Sequence, residues 1–358
     1  MSLLPLSRRP GPIWRLLVLI ALLAPLPSCA QRDGVVRAQG PGARLVLTEV
    51  LRLGSASGDD AFGRVMDVEL GPTGRIYVAD DLRWNIVVFD GAGRLLRRVG
   101  RRGQGPGEFE RPWYLAVDRN DSLFVWDGAL NRISVFGPDF RFARSFPAPG
   151  RWTVSGFSVR TDGTLLVGAF ASGIAGMIHV LNREGRVLRS FGPSADAAGV
   201  PEGFASTLLG GSVAESDEGI LFLRRSPYEL VFHDRTGRRL RSCRGDARWT
   251  TPPRTVVRVG NGQQALEWQR FIHSSGAMSL GGGYYLNQVL DPGGESTTLD
   301  LVRADCALAH RRVHGGVLLF QDRRGDLLAA QVGGDVPQVA LFRYRIERAV
   351  RKSMPEYP

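Results

Sequence analysis

The chain has 358 residues, of which 43% are hydrophobic and 23% charged, and this globular composition excludes a disordered or low-complexity protein. Basic residues number 46 and acidic residues 35, but Lys352 is the only lysine among them. Such a bias towards arginine is typical of a GC-rich genome, so the positive charge does not by itself indicate phosphate contacts. A basic face could still hold an anionic lipid or polysaccharide.

Residues 1–28 are predicted to be a signal peptide of the lipoprotein type. Three arginines precede the apolar run Leu16 to Ala24, which is too short to span a bilayer as a stable helix. The residues Leu26, Pro27, Ser28 and Cys29 then resemble a bacterial lipobox, which implies cleavage before Cys29 and acylation of that residue. The alternative is an ordinary signal peptide with an incidental cysteine. Ala30 implies sorting to the outer membrane, and export argues against nucleic acid as a partner.

Internal similarity divides the remaining chain into six units. The two clearest are Val68 to Gly100 and Leu115 to Phe146, and each has the pattern of four short strands separated by turns. Weaker copies begin at Phe157, Val213, Gly276 and Leu319. Six such units predict an all-β fold, a six-bladed β-propeller of four-stranded antiparallel blades. The residues that mark the third strands are Phe89, Phe136, Leu181, Phe232, Val302 and Phe342.

The sixth unit lacks a fourth strand, because its third strand ends near Ile346. The run Ala43 to Leu53, ahead of the first unit, has a strand pattern, and adding it to the sixth blade would close the ring without an unpaired edge. We therefore predict a lipid-anchored linker at 29–42, a propeller at 43–346 and a tail at 347–358. The stretch Gln263 to His273 predicts one short helix.

Residues 100–137 resemble a repeat of the NHL type. This resemblance implies the propeller fold over roughly residues 43–346, but propellers with such repeats serve binding, signalling and catalysis alike. The residues that carry it are Gly103, Gly105, Gly107, Phe109, Pro112, Ala116, Val117, Asp118, Val125, Asp127, Asn131, Arg132, Ile133, Val135 and Phe136.

The glycine-rich stretch Gly100 to Pro112 is predicted to connect the first two blades. A dinucleotide-binding loop needs Gly-x-Gly-x-x-Gly between a strand and a helix, whereas here alternating glycines precede a strand pattern. Two long insertions, Pro193 to Gly210 and Arg244 to Ile272, belong to the same class of connector. All three should therefore lie at one mouth of the channel, which is the expected binding face.

Tryptophan and arginine residues on that face are the candidate contacts, because both are enriched where proteins bind partners. The expected partner is an envelope protein, a peptide or an anionic glycan; alternatively, part of the tryptophans only fill space between blades. Asp80 and Asp127 are expected to brace turns through backbone hydrogen bonds. The candidate residues are Arg64, Trp84, Arg101, Arg102, Arg111, Trp113, Trp152, Arg224, Arg225, Tyr228, Trp249 and Trp268.

Cys243 and Cys306 are predicted to be two free thiols. Cys243 aligns with Val99 at the end of an outer strand, and Cys306 aligns with Gly93 in a turn assigned to the opposite face. Disulfide bonding requires α-carbons within about 7 Å, which is less than the length of a strand.

The chain lacks several catalytic signatures, including His-Glu-x-x-His, Cys-x-x-Cys and Gly-x-Ser-x-Gly. We therefore expect a non-enzymatic binding or scaffold lipoprotein of the bacterial cell envelope, anchored to the membrane by lipid alone and without a cofactor. The alternative is a metal-dependent hydrolase or lyase similar to propeller lactonases. In that case Asp67, His273 and His314 would hold calcium or zinc near the channel mouth.

Overall fold

A computed structural model describes most of the region that the repeats cover. The described residues are 34–38, 42–148, 152–171, 174–193, 211–224, 228–245, 256–258, 264–266, 273–291 and 295–348. The chain divides into two units, Met1–Gln31 and Arg32–Pro358, and the first lies wholly outside the described residues. The signal peptide and Cys29 therefore stay sequence predictions. Within the described ranges, no helix is long and apolar enough to cross a membrane.

The second unit is an all-β, six-bladed propeller. It begins with two short strands, β1 (Gly34–Val35) and β2 (Arg37–Ala38), followed by β3 (Arg44–Leu53). Blade 1 contains β4 (Val65–Leu70), β5 (Ile76–Asp80), β6 (Asn85–Phe89) and β7 (Leu95–Val99). Blade 2 contains β8 (Pro112–Val117), β9 (Leu123–Asp127), β10 (Arg132–Phe136) and β11 (Phe142–Pro147). Blade 3 contains β12 (Trp152–Val159), β13 (Leu165–Ala171), β14 (Ile178–Leu181) and β15 (Val187–Phe191).

Blades 4 to 6 complete the ring. Blade 4 contains β16 (Val213–Ser216), β17 (Gly219–Arg224), β18 (Glu229–His233) and β19 (Arg239–Arg244). A separate hairpin follows, β20 (Val256–Arg258) and β21 (Gln264–Leu266). Blade 5 contains β22 (His273–Gly281), β23 (Tyr284–Leu290), β24 (Ser296–Arg303) and β25 (Ala307–Gly315). Blade 6 contains β26 (Leu318–Arg324), β27 (Leu327–Val332), β28 (Gln338–Glu347) and the N-terminal β3.

The predicted closure of the ring is confirmed. Strand β3 pairs antiparallel with β28 along its whole length, from Leu53 opposite Val339 to Arg44 opposite Glu347. The inner strand of each blade contacts the inner strands of the two adjacent blades, in the order β4, β8, β12, β16, β22, β26 and back to β4. Pairing the two ends of the propeller in one sheet satisfies backbone groups that an incomplete sixth blade would leave exposed.

The core is divided between the blades rather than gathered at one centre. Six clusters of buried apolar side chains each span two neighbouring blades, one cluster for every blade interface. Phe89, Phe136 and Phe232, which mark the third strands of blades 1, 2 and 4, are buried in three of them. The strands are short and apolar on both faces, because a propeller blade packs against a neighbour on each side.

Two predictions about local structure have different outcomes. Residues 100–111 connect β7 of blade 1 to β8 of blade 2, which confirms the glycine-rich stretch as a connector. The helix predicted for Gln263 to His273 is wrong where it can be compared, since Gln264–Leu266 and His273 are in strands. The apolar spacing in this stretch resembles that of a helix, but a hairpin partner at Val256–Arg258 pairs with its first residues.

In most blades the end of the outer strand packs against a hairpin turn of the next blade. The turn lies between third and fourth strands, and its fourth residue has a positive φ in every blade from 1 to 5: Gly93, Phe140, Gly185, Gly237 and Cys306, at φ 83°, 66°, 84°, 93° and 66°. At Gly185 an added Cβ would lie 2.3 Å from the ring of Phe146, and at Gly237 it would lie 2.8 Å from Phe191. Both phenylalanines come from the outer strand of the preceding blade.

The prediction of two free thiols is wrong, because Cys243 and Cys306 form a disulfide with a Cα–Cα distance of 5.3 Å. Cys243 ends an outer strand and Cys306 takes the positive-φ position of the next turn, so the bond replaces the apolar contact made by Phe146 and Phe191. The end of an outer strand and the turn between third and fourth strands would lie on opposite faces only if all strands ran parallel to the channel axis. Sheet twist of about 20–25° per strand rotates the outer strand by roughly 60–75° over three steps, and its end then points at the neighbouring turn.

We expect that the Cys243→Ser/Cys306→Ser variant lowers the free energy of unfolding by about 2–4 kcal/mol, because the bond links two blades across a separation of 63 residues. A Cys243→Phe/Cys306→Gly variant should lose less, since it restores the pairing of phenylalanine with a glycine at positive φ seen in two other blades. Urea denaturation of both variants measures the difference. A serine variant as stable as the parent chain would contradict the role assigned to the disulfide.

Candidate functional site

Two aspartates brace the turns at the channel mouth of blades 1 and 2. Asp127 accepts backbone hydrogen bonds from the N–H groups of Glu110, Arg111, Ala129 and Leu130, at 2.8–3.2 Å. Asp80, at the equivalent position of blade 1, accepts from the N–H groups of residues 63, 64 and 83. The predicted bracing role of both residues is confirmed, and it fixes the connector of each blade to the turn between its second and third strands.

Side chains of Arg132 and Glu108 fix the conformation of the connector between blades 1 and 2. The Arg132 guanidinium donates to the carbonyl oxygens of Gln104, Gly105 and Glu108 at 2.7–2.8 Å. The Glu108 carboxylate accepts from the Gly105 N–H at 2.9 Å and pairs with Arg101 at 2.8 Å. The N–H groups of Gly103, Gly105, Glu108 and Phe109, which could otherwise face a phosphate, already donate to acceptors within the connector. Since the loop is anchored, the residues that it carries at its surface are held in place.

Five side chains on this rim include two pairs of an arginine over a tryptophan ring, and we call them together the Trp–Arg ladder: Trp84, Arg102, Glu110, Arg111 and Trp113. The Arg102 guanidinium lies 5.0 Å from the centre of the Trp84 ring, and the Arg111 guanidinium lies 5.0 Å from the Trp113 ring. Glu110 is 3.8 Å from Arg102 and precedes Arg111 in the chain. The tryptophans are half-buried while both arginines are exposed.

Backbone geometry at each end of the ladder keeps the two tryptophan rings in place. Trp84 has a positive φ of 54° at the end of its turn. Trp113 is the extra residue of a β-bulge in β8, and its ring lies flat against Gly128, where a Cβ would come within 2.1 Å of it. A side chain at position 128 would displace the ring, so the glycine is required for this packing. A turn and a bulge thus preorganise the two tryptophan rings, in addition to the contacts that the ladder side chains make with one another.

The other predicted contact residues are dispersed. Arg64 pairs with Asp81, Arg101 with Glu108, and Arg224 with Glu229, and all three are partly or largely exposed. Trp152 lies between blades 2 and 3, stacked at 6.2 Å on Trp126, so it belongs to the blade interface. The prediction for Tyr228 is wrong, because this side chain is 1% exposed in the core between blades 4 and 5. Arg225, Trp249 and Trp268 lie outside the described residues.

The channel is a polar cavity of about 660 Å³ lined by the inner strands. The inner strands of five blades carry a β-bulge, and in blades 1, 3 and 6 a side chain at or next to the bulge hydrogen bonds to the adjacent blade. Asp67 accepts from the Leu115 N–H of blade 2 at 2.7 Å, and Asp322 accepts from the Leu70 N–H of blade 1 at 2.7 Å. Comparable bonds to the next blade are made by Ser155, Ser212 and Gln288.

Three carboxyl groups share the wall of the channel between blades 6 and 1. Burial raises the pKa of Asp67 to about 8, against two backbone hydrogen bonds that lower it. Burial also raises the pKa of Glu69 well above its usual range, with further increases from Asp322 and Asp67, and burial raises the pKa of Asp322. At neutral pH the group therefore retains protons that carboxyl groups in water would have lost.

Sequence analysis singled out Asp67 but not Glu69 or Asp322. Asp322 follows the bulge of blade 6 as Asp67 follows that of blade 1, opposite Ala329 and Ala79 respectively. In the register of the third strands, however, Asp322 corresponds to Glu69, because Leu328 pairs with Phe342 as Ile76 pairs with Phe89, so an alignment of the inner strands would not have matched the two aspartates. Their proximity across the blade 6 and blade 1 interface follows from ring closure alone.

The proposed metal ligands are divided between inner and outer strands of their blades. Asp67 is on the inner strand β4, with both carboxylate oxygens accepting backbone hydrogen bonds. His314 is on the outer strand β25, opposite Thr297, while His273 begins the inner strand β22 and its side chain lies outside the described set. Among the side chains that the structure describes, no group of three His, Cys, Asp or Glu residues has the geometry to hold a metal ion. Calcium or zinc binding stays a prediction.

We expect the free energy of unfolding to fall by about 1–2 kcal/mol between pH 6.5 and 8, because the unfolded chain ionises Asp67 near pH 4 while the folded chain keeps its proton up to about pH 8. His233, whose pKa burial lowers to about 4, stays neutral in this window. Asp67→Asn should flatten this pH dependence, whereas Asp139→Asn on an exposed turn should not. Urea denaturation at several pH values gives the slope; an equal slope in the parent and Asp67→Asn chains would contradict the assignment.

Comparisons with known proteins agree with the geometry of the ring. A family model described as a 6-bladed beta-propeller, DUF5128, matches residues 59–146. No curated protein matches the chain. A solved structure of a DUF4221 family member from Bacteroides vulgatus has 11% identity and a TM-score of 0.59, covering 87% of this chain and 100% of the other.

Two further solved structures are similar over most of their length. A Bacteroides fragilis protein assigned as exported has 11% identity and a TM-score of 0.57, covering 89% of this chain and 99% of the other. The PQQ-bound aldose sugar dehydrogenase of Streptomyces coelicolor has 16% identity and a TM-score of 0.50, covering 85% of this chain and 100% of the other. At such identities the likeness shows the fold alone, and the fold is the six-bladed β-propeller.

Proposed function

We propose that this chain is a non-enzymatic binding propeller of the bacterial cell envelope, which holds an anionic glycan on the Trp–Arg ladder. The ladder is the observation that supports this function. It presents two tryptophan rings and two exposed guanidinium groups on an anchored rim, and it combines stacking surface with donors suited to carboxylates. Preorganisation reduces the entropy that a ligand must overcome on binding.

An acidic sugar chain fits this chemistry better than a neutral one. Arg111 forms no ion pair with any carboxylate that the structure describes, while Arg102 has only the 3.8 Å contact with Glu110. A carboxylate on the ligand could therefore accept from Arg111 without displacing an existing partner. A peptide or an envelope protein with an acidic segment would use the same donors, and direct competition with the glycan would reveal it.

Three observations support the envelope as the compartment. The N-terminal pattern around Cys29 resembles a lipobox, and the Cys243–Cys306 disulfide suits an oxidising compartment. The similar protein of Bacteroides fragilis is assigned as exported. Lipid on Cys29 would hold the propeller at a membrane surface.

Replacing both ladder arginines, in Arg102→Ala/Arg111→Ala, should weaken the binding of alginate, a model polyuronate, by about tenfold or more, since two charge-assisted contacts are lost. The matched control is Arg94→Ala/Arg141→Ala, which removes two exposed arginines from hairpin turns of the same two blades. Fluorescence anisotropy with labelled alginate measures the dissociation constants. Equal weakening by the two variants would indicate non-specific charge attraction and reject the site, as would the absence of alginate binding.

Lipid attachment is tested separately. Metabolic labelling with an alkyne fatty acid in a bacterial host should label the parent chain and leave the Cys29→Ser variant unlabelled, because the other two cysteines are joined in a disulfide. Labelling that persists in Cys29→Ser, or absence of label in the parent chain, would reject the anchor without affecting the ladder.

A further inference from the structure

Residues 34–38 form a strap across the outer edges of blades 4 and 5. Strand β1 pairs in parallel with β19 of blade 4, with Gly34 opposite Cys243. Strand β2 pairs in parallel with β25 of blade 5, with Arg37 opposite Ala307. The strap thus adds a fifth strand to each of two neighbouring blades before the chain enters β3 of blade 6.

Val36, the residue between the two short strands, attaches the strap to the propeller. The Val36 N–H donates to the Arg244 carbonyl at 2.6 Å, and the Val36 side chain is 5% exposed. Val36 belongs to the same buried cluster as Cys243 and Cys306, so it packs over the region where the disulfide joins blades 4 and 5. Parallel pairing of two residues per blade would be marginal alone, and burial of this valine supplies the additional stabilisation.

We propose that the outer edge of blades 4 and 5 is the surface of the propeller that faces the membrane. The inference rests on the proposed lipid anchor at Cys29. Gly34 is five residues after Cys29, and five residues span at most about 16–18 Å. A docked strap therefore keeps this edge close to the bilayer surface. An undocked linker reaching to residue 43 would span up to about 46–50 Å and would leave the propeller free to rotate.

The opposite side of the ring then faces away from the membrane. Blades follow one another in chain order around the closed ring, so blade 1 is three steps from blade 4 and blade 2 is three steps from blade 5. The Trp–Arg ladder lies on blades 1 and 2. Mounting by the edge of blades 4 and 5 places the ladder on the side of the ring that faces away from the membrane, where a glycan in the surrounding space can reach it.

Energy transfer to a membrane tests this orientation directly. The chain from Cys29 onwards is coupled through the Cys29 thiol to a maleimide lipid in liposomes that contain an acceptor lipid. A fluorescent unnatural side chain replaces Arg238 in one variant and Arg94 in another. Both arginines are exposed, and they occupy the same position in the hairpin turns of blades 4 and 1, which lie opposite each other. Each forms an ion pair with the aspartate four residues before it. The donor at position 238 should be quenched about threefold more than the donor at position 94, given the short tether.

The strap is tested by a matched pair of substitutions. Val36→Asp introduces a charge under the strap and should abolish the difference between the two donor positions, whereas Val50→Asp changes an exposed valine in β3 and should preserve it. Equal quenching in the parent chain, or stronger quenching at position 94, overturns the proposal. So does a difference that survives Val36→Asp. Because the tether is chemical and the ladder is not involved, these outcomes are independent of natural acylation and of glycan binding.

Discussion

The right-handed twist of each four-stranded blade is the constraint on which the rest of the molecule depends. It rotates the outer strand far from the direction of the inner strand, so the end of an outer strand contacts the hairpin turn of the following blade. Phe146 against Gly185 and Phe191 against Gly237 are apolar versions of this contact, and the Cys243–Cys306 disulfide is a covalent one. The blades are therefore joined at their outer edges as well as along the channel.

At the channel, side-chain hydrogen bonds join the blades instead. A bulge recurs in the inner strands, and polar side chains at or near it hydrogen bond to the backbone of the next blade. This arrangement satisfies backbone groups that face a narrow cavity, but it brings Asp67, Glu69 and Asp322 into one small region. The raised pKa values in that region follow from the burial of carboxyl groups where the blades meet, and they require no catalytic role.

The proposed binding site and the proposed anchoring edge lie on different blades of the ring. Blades 1 and 2 have the clearest repeats and short, well-braced connectors that carry the Trp–Arg ladder. Blades 4 and 5 bear the disulfide and the N-terminal strap. A closed ring suits such a division, because each blade contacts only its neighbours and one side can vary without altering the other.

The number of blades, the strand that closes the ring and the structural role of Asp80 and Asp127 could be predicted from the sequence, because these depend on local periodicity and on turn chemistry within one repeat. Which residues of different repeats meet could not be predicted in the same way. The disulfide, the row of ladder side chains, the pairing of Asp67 with Asp322 across the sixth interface and the burial of Tyr228 all depend on blade twist and ring closure. Twist and closure accumulate over many strands, so no single repeat contains the information that places these residues together.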